Sequence, residues 1–306
     1  MSPANVFTLP AFAKINRVLR VLGRRPDGYH EIRTVFQTVT LHDRLTFASR
    51  PDDRLLLTCD APGIPVDETN LIHRAATALR QRYSVESGAS IHLEKRIPAE
   101  GGLGGGSSDA AVALVGLTRL WEIETDQREL ALIGAGLGAD VPFFLTGGTA
   151  LGTGLGTQIT PLEDASAEYL LIVTPDAKVS TAEAYKALSL PALTKADGDI
   201  ILSISCAGAQ NPGSSHDALY NDFERVIFRL KPEIERAKNA LASAGARGAL
   251  LAGSGASVFG IFDNEEARES AKASLKEETG WLVFSCETLA RQQYREALGL
   301  SAAAPS

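Results

Sequence analysis

"PAEGGLGGGSSDAA", residues 98–111, puts five glycines into the six positions 101–106, with only Leu103 between them. Glycine loses more backbone entropy on folding than any other residue, roughly 0.5–1 kcal/mol each relative to alanine. A run this dense therefore implies that bare backbone is needed. The chain continues into "SSDAAVALVGLTRLW", which reads as a helix with almost no polar face and so belongs inside a domain. Glycine-rich linkers do not usually run at once into a wholly apolar helix, so the stretch reads as an anion loop. Successive N–H groups converge on phosphate oxygens, and Ser107 or Ser108 caps the helix and offers a hydroxyl to phosphate or to Mg²⁺.

Two common phosphate loops do not fit. No Gly-Lys pair accompanies the run, which excludes the GxxxxGK[ST] pattern. Counting a dinucleotide fingerprint from Gly102, Ser107 stands where the third glycine belongs, and Pro98 crowds the entry from the preceding strand.

Elsewhere "FAKINRVLRVL", "IRTVFQTVTL", "DRLTFAS", "RLLLTC" and "ASIHLEKRI" read as strands, and "TNLIHRAATALRQRY" as an amphipathic helix. Beyond a polar turn at 163–168 come the buried strand "YLLIVTP" and a helix "TAEAYKAL" opened by Ser180 and Glu183 as a capping box. "LYNDFERVIFRL" and "PEIERAKNALASAG" read as helices, and "GALLAGSGASVFGIF" as strand, turn and strand. Two amphipathic helices and a tail, "SAAAPS", complete the chain. The fold class is α+β in two domains, 1–162 and 163–306.

The chain has 306 residues, 44% hydrophobic and 22% charged, the balance of a globular protein long enough to bury a core without staples. Its net charge of −7 argues against a nucleic-acid partner, and no apolar run approaches a membrane span. The N-terminus carries no signal-peptide pattern, and Cys59, Cys206 and Cys286 form neither a disulfide framework nor a zinc motif, so a cytoplasmic location is expected. His42, His73, His92 and His216 show no metal spacing.

The glycine-serine loop resembles the phosphate-binding motif of the GHMP kinases, which bind ATP without a Walker motif. Three further stretches are similar to that superfamily: "AKINRVLRVLGRRPDGYHEIRTVFQTV", "GADVPFFLTGGTALGTGLG" and "LLAGSGASVFGIF", in the expected order from residue 11 to residue 262. The first two look like the branch that phosphorylates the 2-hydroxyl of 4-diphosphocytidyl-2-C-methyl-D-erythritol in the non-mevalonate route to isoprenoid precursors. The resemblance implies the two-domain GHMP kinase fold, an active site in the inter-domain cleft, ATP as phosphoryl donor with Mg²⁺, and a small-molecule partner. It leaves the oligomeric state open.

It also distributes roles over this sequence. Pro98, Ala99, Glu100, Gly101, Gly102, Leu103, Gly104, Gly105, Gly106, Ser107 and Ser108 form the ATP loop, with Ser108 the candidate metal ligand. Lys14 and Asp140 form the catalytic pair, Asp140 as proton acceptor or positioning group and Lys14 as stabiliser of charge near the γ-phosphate. On residues alone Asp140 reads rather as a helix cap and Lys14 as a solvated strand residue. For the substrate, Tyr29 stacks on cytosine, His30 bonds its polar edge, Phe36 lines the pocket and Asn16 meets the erythritol portion. Thr181 and Tyr185, four apart on one helical face, close the pocket from the second domain. "GSGAS", residues 253–257, is expected to pack on the phosphate loop, and Asp109 to point away from it. A homoserine or mevalonate kinase of the same superfamily is the alternative, though the "RRPDGYHE" stretch would be superfluous there.

Overall fold

The computed structural model describes residues 6–164, 166–189 and 219–300. The readings placed on Cys206, on His216 and on the tail 301–306 lie outside those residues.

Strand β1 (Val6–Arg24) and strand β2 (His30–Arg50) are antiparallel and form the backbone of the first sheet. The sequence suggested separate strands either side of residue 42, yet β2 runs through without a break. It does so because it exchanges partners: β5 (Thr149–Gly154) pairs with its first part, and β4 (Gly88–Glu94) pairs with residues 44–50. Register shifts in β1 lie between Phe12 and Lys14 and between Asn16 and Val18. Such irregularities re-aim side chains, and Lys14 and Asn16 sit between the two.

Strands β3 (Leu55–Cys59), β6 (Gln158–Pro161) and β8 (Tyr220–Asn221) extend this sheet in the order β3-β4-β2-β1-β8, with β5 and β6 attached through β2. Helices α1 (Leu71–Tyr83), α2 (Gly105–Leu120), α3 (Gln127–Leu137) and α4 (Val141–Thr146) cover it. As its composition requires, α2 lies within the core: every residue from Ser108 to Leu117 is buried. Gly116 has to be glycine because a Cβ there would overlap the Phe47 ring of β2.

A second sheet, β11-β7-β10-β9, is antiparallel throughout and is built from β7 (Tyr169–Pro175), β9 (Gly248–Leu251), β10 (Val258–Phe262) and β11 (Trp281–Glu287). With it are α5 (Thr181–Leu188), α6 (Glu224–Leu230), α7 (Pro232–Ser243) and α8 (Glu265–Ser274). Sequence periodicity suggested a helix from residue 219, but Tyr220 and Asn221 are a short strand on β1 and the helix starts at Glu224. Asn221 is held by the Leu251 and Gly253 carbonyls, contacts that local propensity does not register.

The two sheets share a core. Ala13, Ile15 and Val39 of β1 and β2, with Ile97 and Leu103 from the approach to α2, pack with Leu170, Ile172, Leu250 and Phe259 of the second sheet. Helix α9 (Arg291–Ala297) then returns to the first sheet's core, where Tyr294 is fully buried and donates its hydroxyl to the Phe144 carbonyl. The last of the described helices thus fills the core of the first half.

Candidate active site

The glycine run leaves the β4 side of the sheet and enters α2. Gly104 is the N-cap, with φ of 72° in the left-handed region, and α2 begins at Gly105, ahead of the two serines. The expectation that Ser107 or Ser108 caps the helix is therefore corrected, since no side chain caps it. The N–H groups of Gly105, Gly106 and Ser107 have no partner within the helix and gather at the positive end of its dipole. Ser108, the candidate metal ligand, is fully buried, and its hydroxyl donates to the Phe12 carbonyl at 2.6 Å, so it is turned away from the loop cavity that Ser107 borders. Having turned inward on the first full turn of α2, it ties the helix to β1.

The loop is fastened from the other half of the chain. Ala256 N–H donates to the Glu100 carbonyl at 3.2 Å and Ser257 N–H to that of Gly101 at 3.1 Å. Gly102, with φ of 74°, lies so close to the Ala252 carbonyl that a Cβ would overlap it. "GSGAS" thus packs on the phosphate loop as its glycines suggested.

Lys14 lies beneath this loop. Its ammonium donates to Asn16 Oδ1 at 2.7 Å and to the Gly102 carbonyl at 3.0 Å, and stands 3.4 Å from Asp140 Oδ2. The Lys14 side chain is 5% exposed and that of Asp140 28%, so the carboxylate is the accessible member of the pair. Asp140 precedes α4 but makes no side-chain cap hydrogen bond, which leaves its oxygens directed at the cleft. Asn16 is held in turn, donating to Thr34 Oγ1 at 2.7 Å while that hydroxyl donates to the Val18 carbonyl at 2.8 Å. Asn16 thus holds the Lys14 ammonium through an amide that is itself fixed by Thr34, and it borders the loop cavity.

Two cavities meet at Asp140. One, of about 610 Å³, is lined by Pro98, the loop from Ala99 to Ser107, Lys14, Asn16 and Phe36. The other, of about 1040 Å³, is lined by Tyr29, His30, residues 135–140 and the exposed face of α5. Ile32, Ser107, Asp140, Thr181 and Tyr185 border both. His30 stacks on Tyr185, with ring centroids 4.7 Å apart, and Tyr185 stands edge-on to Phe223 at 4.9 Å. Thr181 Oγ1 is 3.2 Å from Ser254 Oγ, linking α5 to the glycine motif. Burial, reinforced by the charge of Arg24, lowers the His30 pKa, so the ring is neutral near pH 7 and presents one donor and one acceptor. Tyr29 is 65% exposed at the rim. Phe36, expected to line the pocket, is buried, stacks on Phe143 at 4.7 Å and lies under the Lys14 ammonium, bordering the loop cavity.

Residues 70–148 match the GHMP kinases N terminal domain and residues 203–279 the GHMP kinases C terminal family. A 4-diphosphocytidyl-2-C-methyl-D-erythritol kinase from Caldicellulosiruptor bescii is 41% identical over 283 residues, covering 91% of this chain and 98% of the relative. One from Gloeobacter violaceus is 39% identical and covers 92% and 93%. The chain belongs to this family of GHMP kinases. A crystal structure of 4-(cytidine 5'-diphospho)-2C-methyl-D-erythritol kinase superposes with a TM-score of 0.74 at 32% identity, over 92% of this chain and 99% of that one. A homoserine kinase from Cytophaga hutchinsonii shares the fold at a TM-score of 0.70 and 19% identity, over 96% and 98% of the two chains. As a GHMP kinase, the chain takes ATP as phosphoryl donor.

One part of the kinase site was not foreseen. Lys95, just after β4, forms ion pairs with Asp43 of β2 and, at 2.8 Å, with Asp109 of α2. Its ammonium comes within 2.9 Å of where a Cβ on Gly105 would stand, next to the first turn of α2. Asp109, expected to point away from the loop, instead borders the loop cavity, as Lys95 does. Burial pushes the Asp109 carboxyl up to about 7; Lys95 opposes this and Asp43 adds to it. Asp43 also accepts the N–H groups of Arg96 and Ile97 at 2.5 and 2.7 Å, pinning the segment that leads into the loop. These side chains are 52 and 14 residues from Lys95 in sequence, and no local pattern joins them.

Proposed function

We propose that this chain transfers the γ-phosphoryl group of ATP to the 2-hydroxyl of 4-diphosphocytidyl-2-C-methyl-D-erythritol, in the non-mevalonate route to isoprenoid precursors and in the cytoplasm. The observation that carries this reading is the position of Asp140, with Lys14 behind it, where a glycine-loop cavity meets one walled by Tyr29, His30 and Tyr185. Dividing the chain at 162/163 puts the loop and the catalytic pair on one side of the cleft and Thr181 and Tyr185 on the other.

ATP lies with its phosphates against the N–H groups at the start of α2, where the absence of Cβ atoms allows close approach. The cytosine edge meets the neutral His30 ring, with Tyr29 closing over the base from the rim. The 2-hydroxyl then faces Asp140, which accepts its proton as the new O–P bond forms and the bond to the ADP oxygen breaks. Lys14, fixed by Asn16 and the Gly102 carbonyl, balances charge that develops at the transferring group without having to reorient.

Mg²⁺ fits this site only in part. Ser108 is closed off, and among the described residues no three side chains of metal-ligating type cluster. Among the described residues Asp140, half-buried, and Glu100, exposed, are the accessible carboxylates at the loop cavity. Such a site suits an ion that arrives held by phosphate oxygens and water.

The test is release of ADP from ATP with a panel of alcohols: the cytidyl-diphospho-methylerythritol, homoserine and mevalonate. Turnover with the first supports the proposal. Turnover confined to homoserine or mevalonate overturns it.

A further inference from the structure

The larger cavity contains two cations for which the phosphoryl-transfer site has no use. Arg24 is the last residue of β1 and stands opposite His30 in the register with β2, so the two share a face of the sheet, and both border the cavity. Its neighbour Arg25 is engaged elsewhere, 3.1 Å from Asp27 and 2.8 Å from Glu31. Arg24 has no ion pair among the described residues. Lys186 reaches the same cavity from α5, where Ala182, Tyr185, Lys186 and Ser189 form one helical face that borders it. Its ammonium likewise has no ion pair among the described residues.

Among the described residues Asp140 is the single carboxylate that borders this cavity, so they give its wall two positive charges against one negative, in a chain whose net charge is −7. Unpaired cations facing a cleft focus an anion there. The occupants of the two ends are already assigned: the base at His30 and the reacting hydroxyl at Asp140. In the substrate, the group between them is a diphosphate.

We infer that Arg24 and Lys186 form a two-sided clamp on the substrate's diphosphate, one cation from each half of the chain, an inference that rests on the activity proposed above. The guanidinium provides a planar pair of donors and the ammonium a mobile point charge, and both pair strongly with phosphate oxygens. Because the two come from opposite sides of the cleft, the clamp also draws α5 toward the first sheet when substrate enters. It gives the kinase a reason to prefer a nucleoside diphosphate derivative over a neutral nucleoside of the same base.

The experiment compares CDP with cytidine as competitors of the substrate in the unsubstituted chain, in Arg24→Gln, in Lys186→Gln and in the double variant. The unsubstituted chain is expected to bind CDP far more tightly than cytidine. Each single variant should reduce that preference about tenfold and raise the KM for substrate by a similar factor, with the KM for ATP within about twofold. Arg24→Lys and Lys186→Arg should recover most of the preference. A structural role would weaken both competitors together, so a CDP-to-cytidine ratio unmoved in all three glutamine variants overturns the clamp alone. Failure of the unsubstituted chain to turn over the cytidyl-diphospho-methylerythritol overturns the proposed activity, and the clamp with it.

Discussion

Replacing Gly104 by alanine tests whether the loop and Lys14, the proposed catalytic lysine, are packed as one unit. A methyl at this position stands 2.7 Å from Phe144 Cζ, 2.9 Å from Phe144 Cε2 and 3.1 Å from Lys14 Cγ. The backbone adds a second cost, because φ is 72°. A residue with a Cβ in the left-handed region costs about 1–2 kcal/mol, and one extra methyl in a packed core about 1–3 kcal/mol. Taken together the substitution costs about 2–5 kcal/mol. Unfolding entropy of about 2.1 cal/mol/K per residue makes this a fall in Tm of about 3–8 °C for a chain of this length. Gly63→Ala is the control, for its φ is 81° and nothing lies within 4 Å of the added methyl. It bears the backbone term alone, or about 2–3 °C. Phe144 is fully buried against Phe143, so the softer neighbour that yields is Lys14. Its displacement from Asp140 should lower kcat about tenfold to a hundredfold, since misplacement of a catalytic group by about 1 Å carries a penalty of that order. Differential scanning fluorimetry and an ADP-release assay on both variants decide it. If Gly104→Ala melts no lower than Gly63→Ala, or keeps kcat within twofold of the parent, the packing argument is wrong.

Asp140→Asn should keep ATP affinity within about threefold and lose at least about 10²-fold in kcat, measured by nucleotide titration and ADP release; near-parental kcat would remove Asp140 from proton transfer. Asp109 gives a pH prediction: its folded pKa of about 7 lies above the ordinary carboxylate value, so the folded state holds an extra proton in between. Its contribution to stability therefore falls as pH rises from about 4 to about 7, and the Tm of Asp109→Asn relative to the parent should increase between pH 5 and pH 8. A constant or shrinking difference contradicts this. Tyr294→Phe leaves the buried Phe144 carbonyl without its hydroxyl donor and should cost about 1–3 kcal/mol, seen as a Tm lower by a few degrees; an unchanged Tm would show that α9 is not anchored there.

The sequence by itself determined the elements with strong local signatures. Apart from Asp109, residues from Ser108 to Leu117 are apolar or small and read as a buried helix, and the glycines before them as a turn that brings backbone close to something. "GSGAS" announced a second tight turn. The motifs also carried the kinship to the GHMP kinases, because loops that bind phosphate through main-chain groups leave a glycine pattern in the sequence.

What only the tertiary structure decided depends on contacts between distant residues. Whether Ser108 faces the cleft or β1 is a matter of helix phase, fixed by where Gly104 ends the loop and by the Phe12 carbonyl 96 residues away. Whether β2 stops near residue 42 or continues depends on β4 and β5 both being present to pair with it. Asp109 and Lys95 form a buried charge cluster because Asp43 reaches them from another strand, a juxtaposition with no sequence period. Hydrophobic periodicity and turn chemistry act over a few residues and can be read from the chain. Burial of charge, the phase of a helix against a sheet and the joining of two cavities at one carboxylate are set by long-range packing, and that exists only once the chain has folded.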